Sequence, residues 1–317
     1  MNVPHIKWAI VTLSHMGYRL KKIRYEIVQE TAWSQVYRFH TNQGLVYLKK
    51  VPPALSLEPD VIQLLDKQFH GHVPHILAQN KEQHCFLMQD AGVPLHDYFK
   101  QGYNAEVLIE TMQHYSELQL CTADNIECFF NLGVPDWRLQ RLPNLYRELL
   151  NEEQLLLGDG ITANELELLK GLDKKIQTIC DQLAQYNIPD TFGHADFHDK
   201  NILVNPSTHQ TTLIDLGEVV ITHPFFSLVN CIYRSTEPFK LPSSQYRQLM
   251  EACFRQWLSR ESSIHLFEMI KLIEQCWSVH AVLGEYRLIR SIEPTASMSL
   301  SRQGRFAEKL RAWMSAQ

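Results

Sequence analysis

The sequence predicts an α+β chain in two lobes, a small β-rich N-terminal lobe and a larger, mostly helical C-terminal lobe. Three observations predict it. From Ile23 to Gln89 the apolar residues come in short β-like runs broken by turn residues. After Asp90-Ala91-Gly92-Val93-Pro94 they recur at helical spacing. One short apolar hairpin, Ile202-Leu203-Val204 with Thr212-Leu213-Ile214, interrupts the helical part. The boundary falls in the Gly/Pro linker, dividing the chain into residues 1–89 and 90–317.

The bulk numbers fit an ordinary globular protein. The chain has 317 residues, 45% hydrophobic and 21% charged, enough to bury a core in each part. A formal charge of −5 supplies no basic stripe, which speaks against nucleic acid as a partner. The only apolar patch before Lys22 is Trp8-Ala9-Ile10-Val11, shorter than a signal-peptide centre, and nothing later approaches a membrane span. Seven scattered cysteines without a C-x-x-C pair read as reduced core thiols, so a cytoplasmic location and no membrane partner are expected. The sequence assigns no oligomeric state.

In chain order, His5–Met16 has helical texture, and Ile23–Gln29, Gln35–His40 and Leu45–Lys50 read as strands. Thr41-Asn42-Gln43-Gly44 is a hairpin turn, because Asn and Gly accept positive φ. Pro52 and Pro53 end strand pairing. Glu58, Val61, Ile62 and Leu65 then follow helical spacing, with Pro59 tolerated in the first turn. His75–Gln79 and His84–Gln89 are two further strands. Beyond the linker, Asn104 caps a stripe of Leu108, Met112, Tyr115 and Leu118. Thr162 and Glu165 form a capping box ahead of one continuous stripe from Leu166 to Leu183. Ser243 heads Tyr246, Met250, Cys253 and Trp257, a long helix carries Phe267 to Ala281, and a last helix holds Phe306, Leu310 and Trp313.

The stretch that can carry chemistry is Gly193-His194-Ala195-Asp196-Phe197-His198-Asp199-Lys200-Asn201, followed by the hairpin and by Asp215-Leu216-Gly217. Phosphoryl transfer needs a held phosphate chain, a neutralising cation and a carboxylate that orients the acceptor hydroxyl. Asp196 suits the carboxylate post. Asn201 and Asp215 supply the hard oxygens that Mg²⁺ takes beside its retained waters. Any one of these residues alone is explained by turn chemistry. The spacing H-x-D-x-x-x-x-N, an apolar strand, a turn and a second strand ending in Asp-Leu-Gly is far more specific.

This segment resembles the catalytic core of the aminoglycoside phosphotransferase family, the small-molecule branch of the protein-kinase-like fold. Members commonly show H-G-D-L-H-x-x-N followed by I-D; here stand His194, Asp196, His198, Asn201 and Ile214-Asp215. The resemblance implies Asp196 as catalytic base and Asn201 with Asp215 as Mg²⁺ ligands. It makes Lys49 of Val46-Tyr47-Leu48-Lys49 an ATP phosphate contact and Glu58 its partner. Cys85-Phe86-Leu87-Met88-Gln89-Asp90-Ala91-Gly92 resembles the hinge strand, where backbone groups of Gln89 and Ala91 would meet adenine. Thr222-His223-Pro224-Phe225-Phe226-Ser227-Leu228 is similar to the segment after the metal aspartate, with Ser227 where Asp is frequent. The resemblance spans roughly residues 24–232 and implies ATP and Mg²⁺ as cofactors and a small hydroxyl compound as acceptor. The lobes would then be a nucleotide-binding lobe at 1–89 and a catalytic, substrate-binding lobe at 90–317.

Departures define the alternatives. The nucleotide loop Thr31-Ala32-Trp33-Ser34-Gln35 has no glycine, leaving backbone N–H groups and the Ser34 hydroxyl as its phosphate donors. That feature motivates an inactive or weak nucleotide-binding protein on the same fold. Asp199-Lys200 replaces a common Pro-Gly and reads as a solvated, salt-linked turn. Alternation puts Tyr47 and Lys49 on one strand face and Val46 and Leu48 on the other without saying which meets the nucleotide. His194 and His198 read as loop props. Their crowding with Asp196 and Asp199 is the sole argument for a zinc hydrolase. Glu218, Glu274 and Glu285 are candidate counter-charges for a cationic acceptor. Only seven positions separate Gly217 from Pro224, and no A-P-E element follows, which favours a small acceptor over a protein.

Overall fold

The computed structural model describes residues 3–21, 25–292 and 302–316. Its strands are β1 (Glu26–Glu30), β2 (Gln35–Thr41), β3 (Gly44–Lys50), β4 (Ile76–Asn80), β5 (Cys85–Gln89), β6 (Val93–Pro94), β7 (Thr191–His194), β8 (Ile202–Val204), β9 (Thr211–Leu213) and β10 (Val219–Thr222). The helices used below are α1 (Pro4–His15), α2 (Glu58–Phe69), α3 (Leu95–Phe99) and α4 (Ala105–Ala123). Contacts divide the chain into two compact units. One comprises Met1–Val93, Ile202–Gly217 and Ser291–Glu293; the other comprises Pro94–Asn201, Glu218–Arg290 and Pro294–Gln317.

The first unit is a five-stranded antiparallel sheet in the order β1-β2-β3-β5-β4. Tyr37, Phe39, Val46, Leu48, Cys85 and Leu87 bury one face against Ile6, Ala9 and Leu13 of α1. Because strand side chains alternate, Tyr47 and Lys49 point to the other face. The expected strand from Ile23 begins at Glu26; Ile23 and Arg24 lie outside the described residues. The β8–β9 hairpin, embedded among helices in sequence, belongs to this unit by its contacts. Leu213 N–H donates to His72 O at 2.8 Å, and Gly92, at φ 123°, lets Val204 O approach so closely that a Cβ would sit 2.3 Å from it.

The second unit is mainly helical, with β7 and β10 forming an antiparallel ladder from Val219↔His194 to Thr222↔Thr191. Asn104 caps α4, accepting from Glu106 and Val107 N–H, and the Thr162–Glu165 capping box is formed. The stripe from Leu166 to Leu183 is two helices, Ala163–Gly171 and Asp173–Leu183, because the backbone leaves helical geometry at Leu172. Short helices at Ile126–Phe130, Leu142–Leu150 and Glu153–Gly158 fill the interval that has no clear periodicity in sequence. Beneath β7, Tyr115 of α4 packs on Phe192 and Phe197 with ring centroids 5.8 and 4.2 Å apart. Among the described residues no helix is long and apolar enough to cross a membrane.

Candidate active site

In the first unit Lys49 sits in mid-sheet, opposite Val36 on β2 and Phe86 on β5. Its Nζ donates to Glu58 Oε1 at 2.7 Å and to Asp215 Oδ1 at 2.6 Å. Glu58 opens α2 only nine residues after Lys49, a span short enough that Pro52 and Pro53 lead almost directly into it. Burial works to strip the Lys49 proton, but the Asp215 and Glu58 carboxylates outweigh it and hold the ammonium well above its usual range. Asp215 has φ 62°, a left-handed conformation that Asp tolerates better than most residues. Its side chain is 40% exposed, so one carboxylate oxygen is on Lys49 while the group still meets solvent. Lys50 lies on the α1 face, where burial first and the Lys50 charge second oppose protonation of the His5 ring.

The hinge strand and the first loop differ in what they leave open. Gln89 N–H is spent on His75 O at 3.0 Å, so only its carbonyl is available as an acceptor. Among the described residues the Ala91 N–H has no hydrogen-bond partner. The loop between β1 and β2 closes on itself. Thr31 Oγ1 accepts from Trp33 N–H at 3.2 Å and Ser34 N–H at 3.0 Å, while Thr31 N–H donates to Ser34 O at 2.9 Å. Two amides expected to face a phosphate are therefore turned inward, the Thr31 hydroxyl donates to Ser34 O at 3.2 Å, and the Ser34 hydroxyl is a side-chain donor the turn still offers.

In the second unit the loop after β7 presents Asp196. Gly193 is required there, since a Cβ would meet Thr222 Cγ2 at 2.5 Å. His194 N–H lies 3.0 Å from both Tyr115 Oη and Ser227 Oγ, and Ser227 Oγ donates back to His194 O at 3.2 Å. Serine at 227 thus still braces the loop backbone. Asp196 N–H donates to His194 Nδ1 at 3.2 Å, and Asn230 Nδ2 donates to Phe197 O at 2.9 Å. His198 Nδ1 accepts Lys200 N–H at 3.1 Å, which puts the ring proton on Nε2, 3.2 Å from Asp196 Oδ2. Burial pushes the Asp196 carboxyl up, but His198, His194 and Arg234 outweigh it and bring it down to about 2. The carboxylate is 46% exposed at the side chain and ionised at neutral pH.

Asn201 Nδ2 donates to Asp196 O at 2.9 Å, which fixes the amide and leaves Oδ1 as its acceptor end. Asn201 and Asp215 each offer a hard oxygen, the donor type Mg²⁺ takes while keeping waters and substrate phosphates as its other ligands. No group of three or more His, Cys, Asp and Glu among the described residues could hold a metal by itself. His198 spends both nitrogens within the loop, which removes it as a zinc ligand.

Two readings from sequence change. Asp199 is buried, not solvated, and its Oδ2 is 2.8 Å from His96 Nδ1 on α3. Glu285 is buried against Arg302 at 2.5 Å with Arg305 and Lys309 at 3.9 Å, so it is not a spare counter-charge for a ligand. Sequence reasoning misses His96, Tyr115 and Asn230; His96 lies 103 residues from Asp199 and no spacing connects them.

A Lys–Glu pair under a small antiparallel sheet and an H-x-D-x-x-x-x-N loop in a helical region are the layout of a kinase-like phosphotransferase fold. The family model of the phosphotransferase enzyme family, APH, matches residues 26–260, and the chain belongs to that family. Ethanolamine kinase from Plasmodium vivax superposes with a TM-score of 0.64 at 14% identity, over 92% of this chain and 81% of that one. Choline kinase LicA from Streptococcus pneumoniae gives 0.60 at 12% identity, covering 96% and 98%. Aminoglycoside phosphotransferase APH(3'')-Id from Streptomyces rimosus, solved with ADP and streptomycin, gives 0.56 at 17% identity, covering 89% and 99%. These likenesses are of fold. No curated protein sequence matches the chain significantly.

Proposed function

We propose that the chain is an ATP- and Mg²⁺-dependent kinase that moves the γ-phosphate to a hydroxyl of a small molecule. The observation that carries this reading is the Asp196 carboxylate, 46% exposed for a reactant, held by His198 Nε2 at 3.2 Å and brought down to about 2, so that it is ionised at neutral pH. Asp196 would accept the hydroxyl proton as the oxygen attacks phosphorus. So weak a base acts mainly by aligning the nucleophile, whose proton acidifies in the transition state. Lys49, oriented by Glu58, would contact the α- and β-phosphates, with the Ser34 hydroxyl as a further donor. The Gln89 carbonyl and Ala91 N–H would meet adenine. Bound Mg²⁺ supplies charge neutralisation on the phosphates, and Asn201 and Asp215 are its proposed protein ligands.

Aminoglycoside-like antibiotics, choline or ethanolamine, homoserine and sugar-amines are the acceptor classes to screen; the names of the similar structures support the first two. The deciding experiment incubates ATP, Mg²⁺ and this panel with the protein and reads products by phosphorus NMR or mass spectrometry. Asp196→Asn is the control. A phosphorylated acceptor that forms equally well with that variant overturns the assignment of the base. The self-closed Thr31–Ser34 turn favours a second reading, a weak or inactive nucleotide-binding protein; nucleotide binding without any product from the panel is its signature.

A further inference from the structure

Asp199 is an unusual residue to find buried beside a reactive loop. Its side chain is 9% exposed, and a carboxylate so placed is stable only with a partner. That partner comes from outside the loop: His96 Nδ1 lies 2.8 Å from Asp199 Oδ2, on the short helix α3. Lys100, the cation on the following turn, is engaged by Asp97 at 2.7 Å in solvent. His198 Nδ1, at 3.9 Å from the other Asp199 oxygen, already accepts the Lys200 N–H.

The 3-10 turn that Asp199 opens, Asp199–Asn201, frames the groups assigned above to chemistry. Lys200 N–H sets the His198 tautomer, Asn201 N–H donates to His198 O at 2.9 Å, and Asn201 Nδ2 donates to Asp196 O at 2.9 Å. Rotation of Asp199 toward solvent would carry this turn with it, and Asn201 Oδ1 would lose its aim.

We propose that His96 is a positioning residue: by partnering buried Asp199 it holds the Asp199–Asn201 turn in the register that presents the Asn201 oxygen to nucleotide-bound Mg²⁺. The inference rests on the kinase reading above. His96 itself touches none of the proposed reactants.

The test titrates AMP-PNP calorimetrically into the full chain with and without Mg²⁺. It compares the unsubstituted protein, His96→Leu, His96→Asn, and the double variant His96→Leu/Asp199→Gly. His96→Leu is expected to lose about tenfold of the affinity that Mg²⁺ adds, with metal-free affinity kept within about twofold, as expected when a ligand's support is removed. His96→Asn, whose amide can replace the Nδ1 donor, retains the Mg²⁺ gain. The double variant recovers it, because no buried charge is left to satisfy. A His96→Leu protein with the full Mg²⁺ gain, or with equal losses in both titrations, overturns the proposal. So does a double variant no better than His96→Leu. Should His96→Leu not fold, the double variant carries the test, and its failure to fold is likewise fatal. Unsubstituted protein that binds no AMP-PNP overturns the nucleotide reading and this inference together, whereas binding insensitive to His96 overturns this inference alone.

Discussion

Lys49 keeps its charge because the Asp215 and Glu58 carboxylates outweigh its burial, whereas Asp196 keeps its own against burial through His198, His194 and Arg234, on a side chain that still meets solvent. In the first unit Lys49 and Glu58 are 5% and 2% exposed, and each is tolerable only because the other is there. In the second unit His198 holds the Asp196 carboxylate, His194 and Arg234 add favourable charge, Asn201 holds its backbone carbonyl, and the side chain is 46% exposed. The difference separates what each residue can be asked to do. A mutually paired cluster makes a stiff anchor, and losing one member costs stability. A propped, half-exposed carboxylate is free to meet a reactant, and losing it should cost chemistry with little damage to the fold.

The largest effect expected from this contrast is on turnover. Asp196→Asn should lower phosphoryl transfer by about 10³-fold, within the range for a positioned acid–base group, while AMP-PNP affinity barely changes and stability falls by less than it does in Lys49→Met. Steady-state kinetics beside a thermal melt measures both. A large loss of stability would erase the proposed distinction. Lys49→Met should behave oppositely, leaving Glu58 as an unpaired buried charge and costing about 3–5 kcal/mol in urea unfolding. Lys49→Met/Glu58→Leu should recover much of that loss, because the orphaned charge is gone.

How much of this is legible beforehand follows from the range of the interactions. Lys49 reads out of strand alternation, but the face it occupies is decided by α1, whose Ile6, Ala9 and Leu13 claim the Val46 and Leu48 side. Asp196 and Asn201 read out of local spacing, and their bond is itself local, from residue 201 to residue 196. The Leu166–Leu183 stripe looks continuous because helical periodicity survives a one-residue break at Leu172. His96 on Asp199 and Tyr115 under His194 are tertiary contacts between distant segments, and neither periodicity nor motif encodes them. The burial of Asp199 is the plainest case: a charged pair beside a turn looks solvated until the helix that covers it is known.

Acid titration separates the contrasted region from the core below it. His223 and His280 are buried in the second unit, and burial drives each ring down to about 3. Among the described residues their Nε2 atoms find no hydrogen-bond partner. A ring whose folded value is below its unfolded 6.5 contributes stability that is fully present above pH 6.5 and lost as pH falls toward 3. Each histidine should cost on the order of 3 kcal/mol between pH 7 and pH 4. His280→Leu should flatten that part of the unfolding curve. Asp196, whose folded value is also depressed, titrates in a lower window, from its ordinary 3.8 to about 2. Loss of fold near pH 5 with an ionised Asp196 is therefore expected, and a midpoint that His280→Leu does not move would refute the histidine assignment.

The smallest effect expected lies in the Thr31–Ser34 turn, and it bears on whether the first unit holds phosphate through its loop or through Lys49. Thr31 Oγ1 takes the Trp33 and Ser34 amides at 3.2 and 3.0 Å, so those donors are withheld from any ligand as the loop stands. Thr31→Ala frees them. The turn is exposed, water replaces the lost bonds, and stability should fall by no more than about 1 kcal/mol. Because the lysine cluster lies on β3, α2 and the segment after β9 and not on this loop, its geometry should be untouched. AMP-PNP affinity should then change by less than about threefold, which is under 1 kcal/mol. A tenfold loss would show that the closed turn is itself a phosphate cradle. A tenfold gain would show that Thr31 restrains the loop by withholding its amides, and the mutually paired cluster would no longer be the sole anchor of the first unit.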